Sequence, residues 1–178
     1  MLCGHRMGGK VAMLFALLHP ERLARLAVLD IAPIQYMHSH APYLRALMEV
    51  DLLSLSSRSE AEKALKSSIT DASTRLFLMQ SLVGKPGEYR WRLNLPILLR
   101  DMPEITGFPL LDVDGIVSST EAVFILGGES DYVDEEGVVK IKTFFPKAEC
   151  FTVDGAGHWL HAERPNEVFE VLIEFLKK

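Results

Sequence analysis

Cysteine is scarce: Cys3 and Cys150 are the two in 178 residues. Isolated in unrelated contexts, they form neither a disulfide framework nor a CxxC metal or redox motif, and a reducing compartment such as the cytoplasm or mitochondrial matrix suits them best. Excess positive charge is also missing. With 19 Lys and Arg against 24 Asp and Glu, the net charge is -5 and the pI about 5.7. No broad basic field is present to attract phosphate backbones or anionic membranes, which argues against nucleic acid as a partner. Long apolar runs are absent too. The stretch 11–18 near the N-terminus is too short to span a bilayer and has no signal-cleavage pattern, so the chain reads as soluble. There is no internal repeat or low-complexity tract.

What is present is apolar content. Hydrophobic residues make up 48% of the chain, enough for one sizeable core in a single domain with embellishments. Residues 1–4 read as the end of a strand and residues 8–18 as an Ala- and Leu-rich helix stopping before His19-Pro20. Residues 25–31 (RLAVLDI) form a continuous apolar run, the pattern of a strand buried on both faces in a parallel sheet. The composition then turns helical over 37–102, with segments at 40–53, 59–68 and 72–83 and a Gly-Lys-Pro-Gly turn before Tyr89, which reads as an inserted cap. Strand patterning returns at 121–126 (EAVFIL). After it come a helix at 135–144, a strand at 149–153 and a final helix at 165–177. This alternation predicts an α/β fold, with residues 1–36 and 103–178 forming the core.

Two motifs carry chemistry. In Gly4-His5-Arg6-Met7-Gly8-Gly9, glycines two positions either side of Arg6 give the spacing of a nucleophile elbow, a sharp strand-to-helix turn in which backbones approach without Cβ clashes. The second, Gly155-Ala156-Gly157-His158-Trp159, follows the last strand. A histidine on a Gly-rich loop at the carboxyl end of a parallel strand can reach the elbow and act as general base. His5 adjoins the elbow and is expected, with Trp159, to shape the pocket. His19 ends a helix, His38 and His40 enter the cap, and His161 packs beside the loop.

Such a base needs a carboxylate to hold its tautomer. Two candidates follow strands between the elbow and the histidine. Asp30 sits in Leu29-Asp30-Ile31-Ala32-Pro33, where an ionisable group among apolar neighbours usually has a partner or a function. Asp131 lies in the polar loop Gly-Gly-Glu-Ser-Asp after the penultimate strand, beside Asp134, Glu135 and Glu136.

The stretches GHRMGGKVAM, LAVLDIAPIQY, YRWRLNLPIL, FILGGESDYV, FPKAE and GAGHWLHAERP resemble the esterase branch of the α/β-hydrolases, which includes small bacterial esterases and mitochondrial α/β-hydrolase domain-containing proteins. They are spread over essentially the whole chain. The resemblance implies an α/β-hydrolase fold, a Ser-Asp-His triad, hydrolysis of carboxylic esters or thioesters, no cofactor or metal, and a helical cap. His158 matches the family base and Asp30 the acid of its Asp-Ile-Ala-Pro stretch, with Asp131 as the alternative. The ligand it implies is a small acyl ester or carboxylate.

Two departures accompany the resemblance. Where the family has serine this chain has Arg6, whose guanidinium has five donors and no lone pair for attack on a carbonyl, so the chain is expected to be catalytically impaired. A cation there would repel an imidazolium and pair with Asp30 or a bound carboxylate. The second departure is the start of the chain almost at the elbow. The Met7 amide is left as one oxyanion donor, without the family's earlier His-Gly loop. These features suggest a fold lacking its N-terminal strands, as in a truncated product or mis-started gene model. They predict that strand 26–31 becomes an exposed edge through which chains self-associate. A non-catalytic binding or regulatory protein, with Arg6 as anion anchor, and a nonfunctional fragment are the alternatives.

Overall fold

The computed structural model describes residues 1–37 and 39–178. The chain divides into two compact units, Met1–Gln35 with Gly107–Lys178, and Tyr36–Thr106.

The first unit is built on a parallel sheet. Strand β1 (Leu2–His5) runs into helix α1 (Met7–Leu18), and the chain returns through β2 (Arg25–Leu29). Gly4 makes that strand-to-helix turn feasible: a Cβ on it would overlap the backbone of Gly8 and Gly9. Helix α1 then lies against the sheet, with Met13 and Ala16 fully buried.

Within the second unit are α2 (Ala41–Met48), α3 (Arg58–Leu65), α4 (Ala72–Met79), a short hairpin of β3 (Leu82–Val83) and β4 (Arg90–Trp91), α5 (Leu95–Arg100) and α6 (Met102–Thr106). Local signals set these boundaries. Ser57 caps α3 by accepting from the Glu60 amide, and Asp71 caps α4 by accepting from the Thr74 amide. The segment expected to be helical through residue 83 instead stops at Met79. Leu82 and Val83 pair with Trp91 and Arg90 across the Gly-Lys-Pro-Gly turn, and the Arg58 guanidinium ties the carbonyls of Met79 and Leu82 together. Leu44, Leu47, Leu65, Ile69, Leu82, Leu95 and Met102 belong to this unit's own core. His38, expected in this region, lies outside the described residues.

The first unit resumes with β5 (Glu121–Gly127), α7 (Glu135–Phe144), β6 (Glu149–Val153), α8 (Leu160–Glu163) and α9 (Pro165–Lys177). The sheet order is β1-β2-β5-β6, all parallel. Strands β2 and β5 are central, and Leu26, Ala27, Val28, Val123, Phe124 and Ile125 are wholly buried, as expected of strands covered on both faces. Ala27, Leu29, Val123 and Ile125 share a core with Leu160, Val168 and Phe175 from α8 and α9. Each such large side chain contributes about 1.5–3 kcal/mol on burial.

The expectation that the strand at 26–31 becomes an exposed edge is not met. Leu26 to Leu29 pair with Leu2 to His5 on one side and with Ala122 to Ile125 on the other. Four residues of β1 are enough to complete that ladder. The edges of this sheet are β1 and β6.

Candidate active site

All four strands point their carboxyl ends the same way, and side chains that follow them converge there. Arg6 follows β1, Asp30 follows β2, Ser130 and Tyr132 follow β5, and His158 follows β6. In open α/β sheets, ligands bind outside the carboxyl ends of the strands.

Arg6 occupies the turn between β1 and α1 with φ 54° and ψ -126°. Asp30 has φ 48°, and among the described residues these are the two non-glycine residues with positive φ. Such backbone conformations cost of order 1–3 kcal/mol each and persist where the surroundings over-determine them. Here the Arg6 amide donates to the Leu29 carbonyl at 3.5 Å, and the Asp30 amide donates to the Ile125 carbonyl at 2.9 Å.

The Asp30 side chain is wholly buried and hydrogen-bonded through both oxygens. Oδ1 accepts from the Gly127 amide at 2.9 Å. Oδ2 accepts from the Ser130 hydroxyl and from Nδ1 of His158. Burial pushes this carboxyl up, but the bonds from His158, Gly127 and Ser130 together outweigh it and hold Asp30 below the ordinary carboxylate value.

His158 is fixed from several sides. Its loop is held by the Glu129 amide donating to the Ala156 carbonyl at 2.9 Å and by the Gly157 amide donating to Glu163 at 2.5 Å. Gly127 leaves room for this loop, since a Cβ there would overlap the Gly157 carbonyl. The Tyr132 ring stacks on the imidazole with centroids 3.4 Å apart and planes 9° apart. Nε2 accepts a hydrogen bond from the Arg6 Nε–H. With one ring nitrogen accepting from Arg6, the hydrogen-bond network assigns the ring proton to Nδ1, which donates to Asp30. The ring is then neutral, and its basic lone pair is occupied.

The Arg6 guanidinium also lies near two aromatic rings, with Cζ 5.5 Å from the Tyr132 centroid and 5.1 Å from that of Trp159. Burial lowers its proton affinity from the ordinary arginine value, while Tyr132 and Asp30 act in the opposite sense. The expected pairing with Asp30 is not formed: the Arg6 Nε–H is directed to His158, and the Asp30 oxygens accept from Gly127, Ser130 and His158. His5 donates through Nε2 to the His158 carbonyl at 3.2 Å and meets His161 edge-on at 4.6 Å. Burial, reinforced by the neighbouring His161, His158 and Arg6, pushes His5 below the ordinary histidine value despite the bond to the His158 carbonyl. Met7 is the first residue of α1, where opening amides have no intrahelical acceptor. Trp159 is 40% exposed.

Asp131, the alternative acid, is exposed on the loop after β5. Among the described residues, the carboxylate hydrogen-bonded to His158 is that of Asp30. Ser130 and Tyr132 were not singled out from the sequence. Their signal was position: both lie in the loop at the carboxyl end of a central strand, immediately around Asp131.

A strand-to-helix turn after β1, a buried carboxylate after β2 and a loop histidine after β6 meet at one end of a parallel sheet, the arrangement of an α/β enzyme fold. The chain belongs to the alpha/beta hydrolase family, whose model matches residues 2–171. It is 36% identical over 182 residues to a Mus musculus protein named sn-1-specific diacylglycerol lipase ABHD11, covering 99% of this chain and 58% of that protein. It is 33% identical over 174 residues to Esterase YbfF of Escherichia coli, covering 97% of this chain and 65% of that protein. Among solved structures, one titled marine microorganism esterase superposes with a TM-score of 0.86 at 35% identity, covering 97% of this chain and 68% of that one. The chain thus spans less than two thirds of the length of these two curated relatives.

Proposed function

We propose that this chain carries the acid and base of a serine ester hydrolase triad, Asp30 and His158, on a scaffold whose nucleophile position is held by Arg6, so that turnover of carboxylic esters or thioesters is impaired. The observation that carries this reading is the hydrogen-bonded series Asp30, His158, Arg6. A serine hydroxyl at position 6 would donate to His158 Nε2 and then lose its proton to it. A guanidinium donates to the same nitrogen but has no lone pair to turn on a carbonyl. The names of the relatives, a lipase and esterases, support an acyl ester as the ligand class. In this reading the Met7 amide is an oxyanion donor, residues 37–102 are the inserted helical cap, and β1 is the edge through which copies associate.

A fluorophosphonate probe tests the central claim. The chain should remain unlabelled, whereas Arg6→Ser should label at residue 6. Labelling of the unmodified chain at any residue, in a manner abolished by His158→Ala, would overturn the reading by revealing another activated nucleophile.

A further inference from the structure

We propose that Arg6 and the opening turn of α1 form a binding site for a carboxylate carrying an apolar chain, a product-like acid rather than an ester. This deepens the reading that Arg6 holds the nucleophile position, because it places the ligand's charged end where the acyl carbon would otherwise sit.

Three independent features converge on an anion. First, Arg6 uses Nε for His158, and among the described residues its terminal Nη groups make no hydrogen bond. With Nε tethered and aromatic rings 5.1 and 5.5 Å from Cζ, the guanidinium plane is constrained before any ligand arrives. A held guanidinium offers a planar pair of N–H donors that matches the two oxygens of a carboxylate.

Second, α1 opens without compensation. Helices α3, α4 and α7 begin on side chains that accept from their first-turn amides, whereas α1 has no side-chain cap and no acidic residue in its first turn. Its positive end therefore adjoins a positive side chain, an arrangement that favours an added negative charge. Asp30 directs its oxygens to Gly127, Ser130 and His158 rather than to Arg6 or the opening amides of α1.

Third, there is room. A Cβ built on Gly8 meets nothing within 4 Å outside its own helix backbone and chain neighbours, and Met7 beside it is 56% exposed. Met7 offers exposed apolar surface for the ligand's chain, and the indole of Trp159, 40% exposed, lies beside the guanidinium. Among the described residues Arg6 is the arginine hydrogen-bonded to His158, and a single guanidinium fork matches a single carboxylate.

The experiment uses octanoate, methyl octanoate and inorganic phosphate as probes with the intact chain, followed by titration calorimetry and by the indole N–H signals of its two tryptophans. Octanoate should bind saturably and shift Trp159 while leaving Trp91 unmoved. Arg6→Gln should weaken binding about ten- to hundredfold, the loss expected for a charge-assisted pair. Arg6→Lys, which keeps the charge without the fork, should fall between. The wild-type Trp159 shift stands even if a variant fails to fold. Octanoate binding no tighter than methyl octanoate, equal displacement by phosphate, or indifference to Arg6→Gln would each overturn the proposal. These are equilibrium readings without turnover, so they fail or succeed separately from the fluorophosphonate test.

Discussion

Arg6 and His158 share a hydrogen bond in which the guanidinium Nε–H donates to the imidazole Nε2. The nitrogen that would take a proton from a hydroxyl is thereby filled by a donor that cannot give its proton up at neutral pH. The same bond explains why a cation and a histidine coexist at close range: the histidine is held neutral, as an acceptor on one side and a donor to Asp30 on the other.

This relation predicts a gain of function. The chain as it stands should hydrolyse short p-nitrophenyl esters no faster than its His158→Ala variant. Arg6→Ser should introduce turnover that His158→Ala removes. Equal rates for Arg6→Ser and the double variant would mean that position 6 and His158 do not act together.

In that Arg6→Ser background the acid can be assigned. Asp30→Asn should lower kcat by roughly 10⁴, the loss seen when a triad histidine is held in the wrong tautomer. Asp131→Asn, altering an exposed loop carboxylate, should leave kcat nearly unchanged. The reverse ranking would displace Asp30 from the role that its contact with Nδ1 suggests.

Much of this arrangement was legible in the sequence, for identifiable reasons. RLAVL and EAVFIL lack alternation because β2 and β5 are covered on both faces, and the helix at 135–144 follows an Asp134 whose side chain caps it at 2.8 Å through the Gly137 amide. Arg6, Asp30 and His158 were visible because glycine spacing, an acid in an apolar run and a Gly-rich loop each depart from the local pattern. Ser130 and Tyr132 were not, since serine and tyrosine in a polar loop look ordinary until the fold brings β5 between β2 and β6. The place of β2 inside the sheet was hidden for a similar reason: pairing depends on which strands become neighbours, and the four residues of β1 carry too little pattern to reveal that they complete the ladder beside β2.

The turn beneath Arg6 makes a contrast between two glycines. A Cβ at Gly4 would overlap backbone atoms of Gly8 and Gly9, which no rotamer change can relieve, whereas a Cβ at Gly8 enters open space. Gly4→Ala should therefore destabilise the chain by about 1–3 kcal/mol or more. Gly8→Ala should be neutral or stabilising by up to about 1 kcal/mol, as alanine is the better helix former. Denaturant midpoints measured at matched protein concentration would decide it, and equal effects would count against the close strand-to-helix approach.

Lys10 gives a pH prediction. It is 7% exposed, and its ammonium donates to the Gly107 carbonyl at 2.8 Å and more distantly to that of Ile34 at 3.5 Å. Burial pushes its pKa down to about 8. Between that value and the ordinary lysine value the unfolded chain binds more protons than the folded one, so stability should rise with pH across this window and stay level with respect to Lys10 below it. The full effect is at most roughly 3 kcal/mol. Lys10→Met loses the carbonyl contacts at every pH, but the difference between wild type and variant should change across the window. A constant difference would show that Lys10 titrates at its ordinary value.

The two edges of the sheet differ in protection, and this predicts how the chain associates. Strand β6 begins at Glu149, which is ion-paired with Lys178, so a charge guards that edge. Strand β1 (LCGH) has neither proline nor an acidic or lysine side chain, and Cys3 is exposed on it. Adjacent α1 presents an apolar stripe of Met7, Val11 and Leu18, which are 56%, 62% and 45% exposed. An unguarded edge beside apolar surface is a template for pairing with another chain. Sedimentation in the presence of reductant, which removes disulfide linkage through Cys3, should therefore show association at micromolar concentration. Cys3→Lys should shift the distribution toward the 19.9 kDa monomer, while Phe151→Lys, near the already guarded β6 edge, should change it little. A wild-type chain that remains monomeric with a single sharp unfolding transition would show that four residues of β1 are too short an edge to recruit a partner.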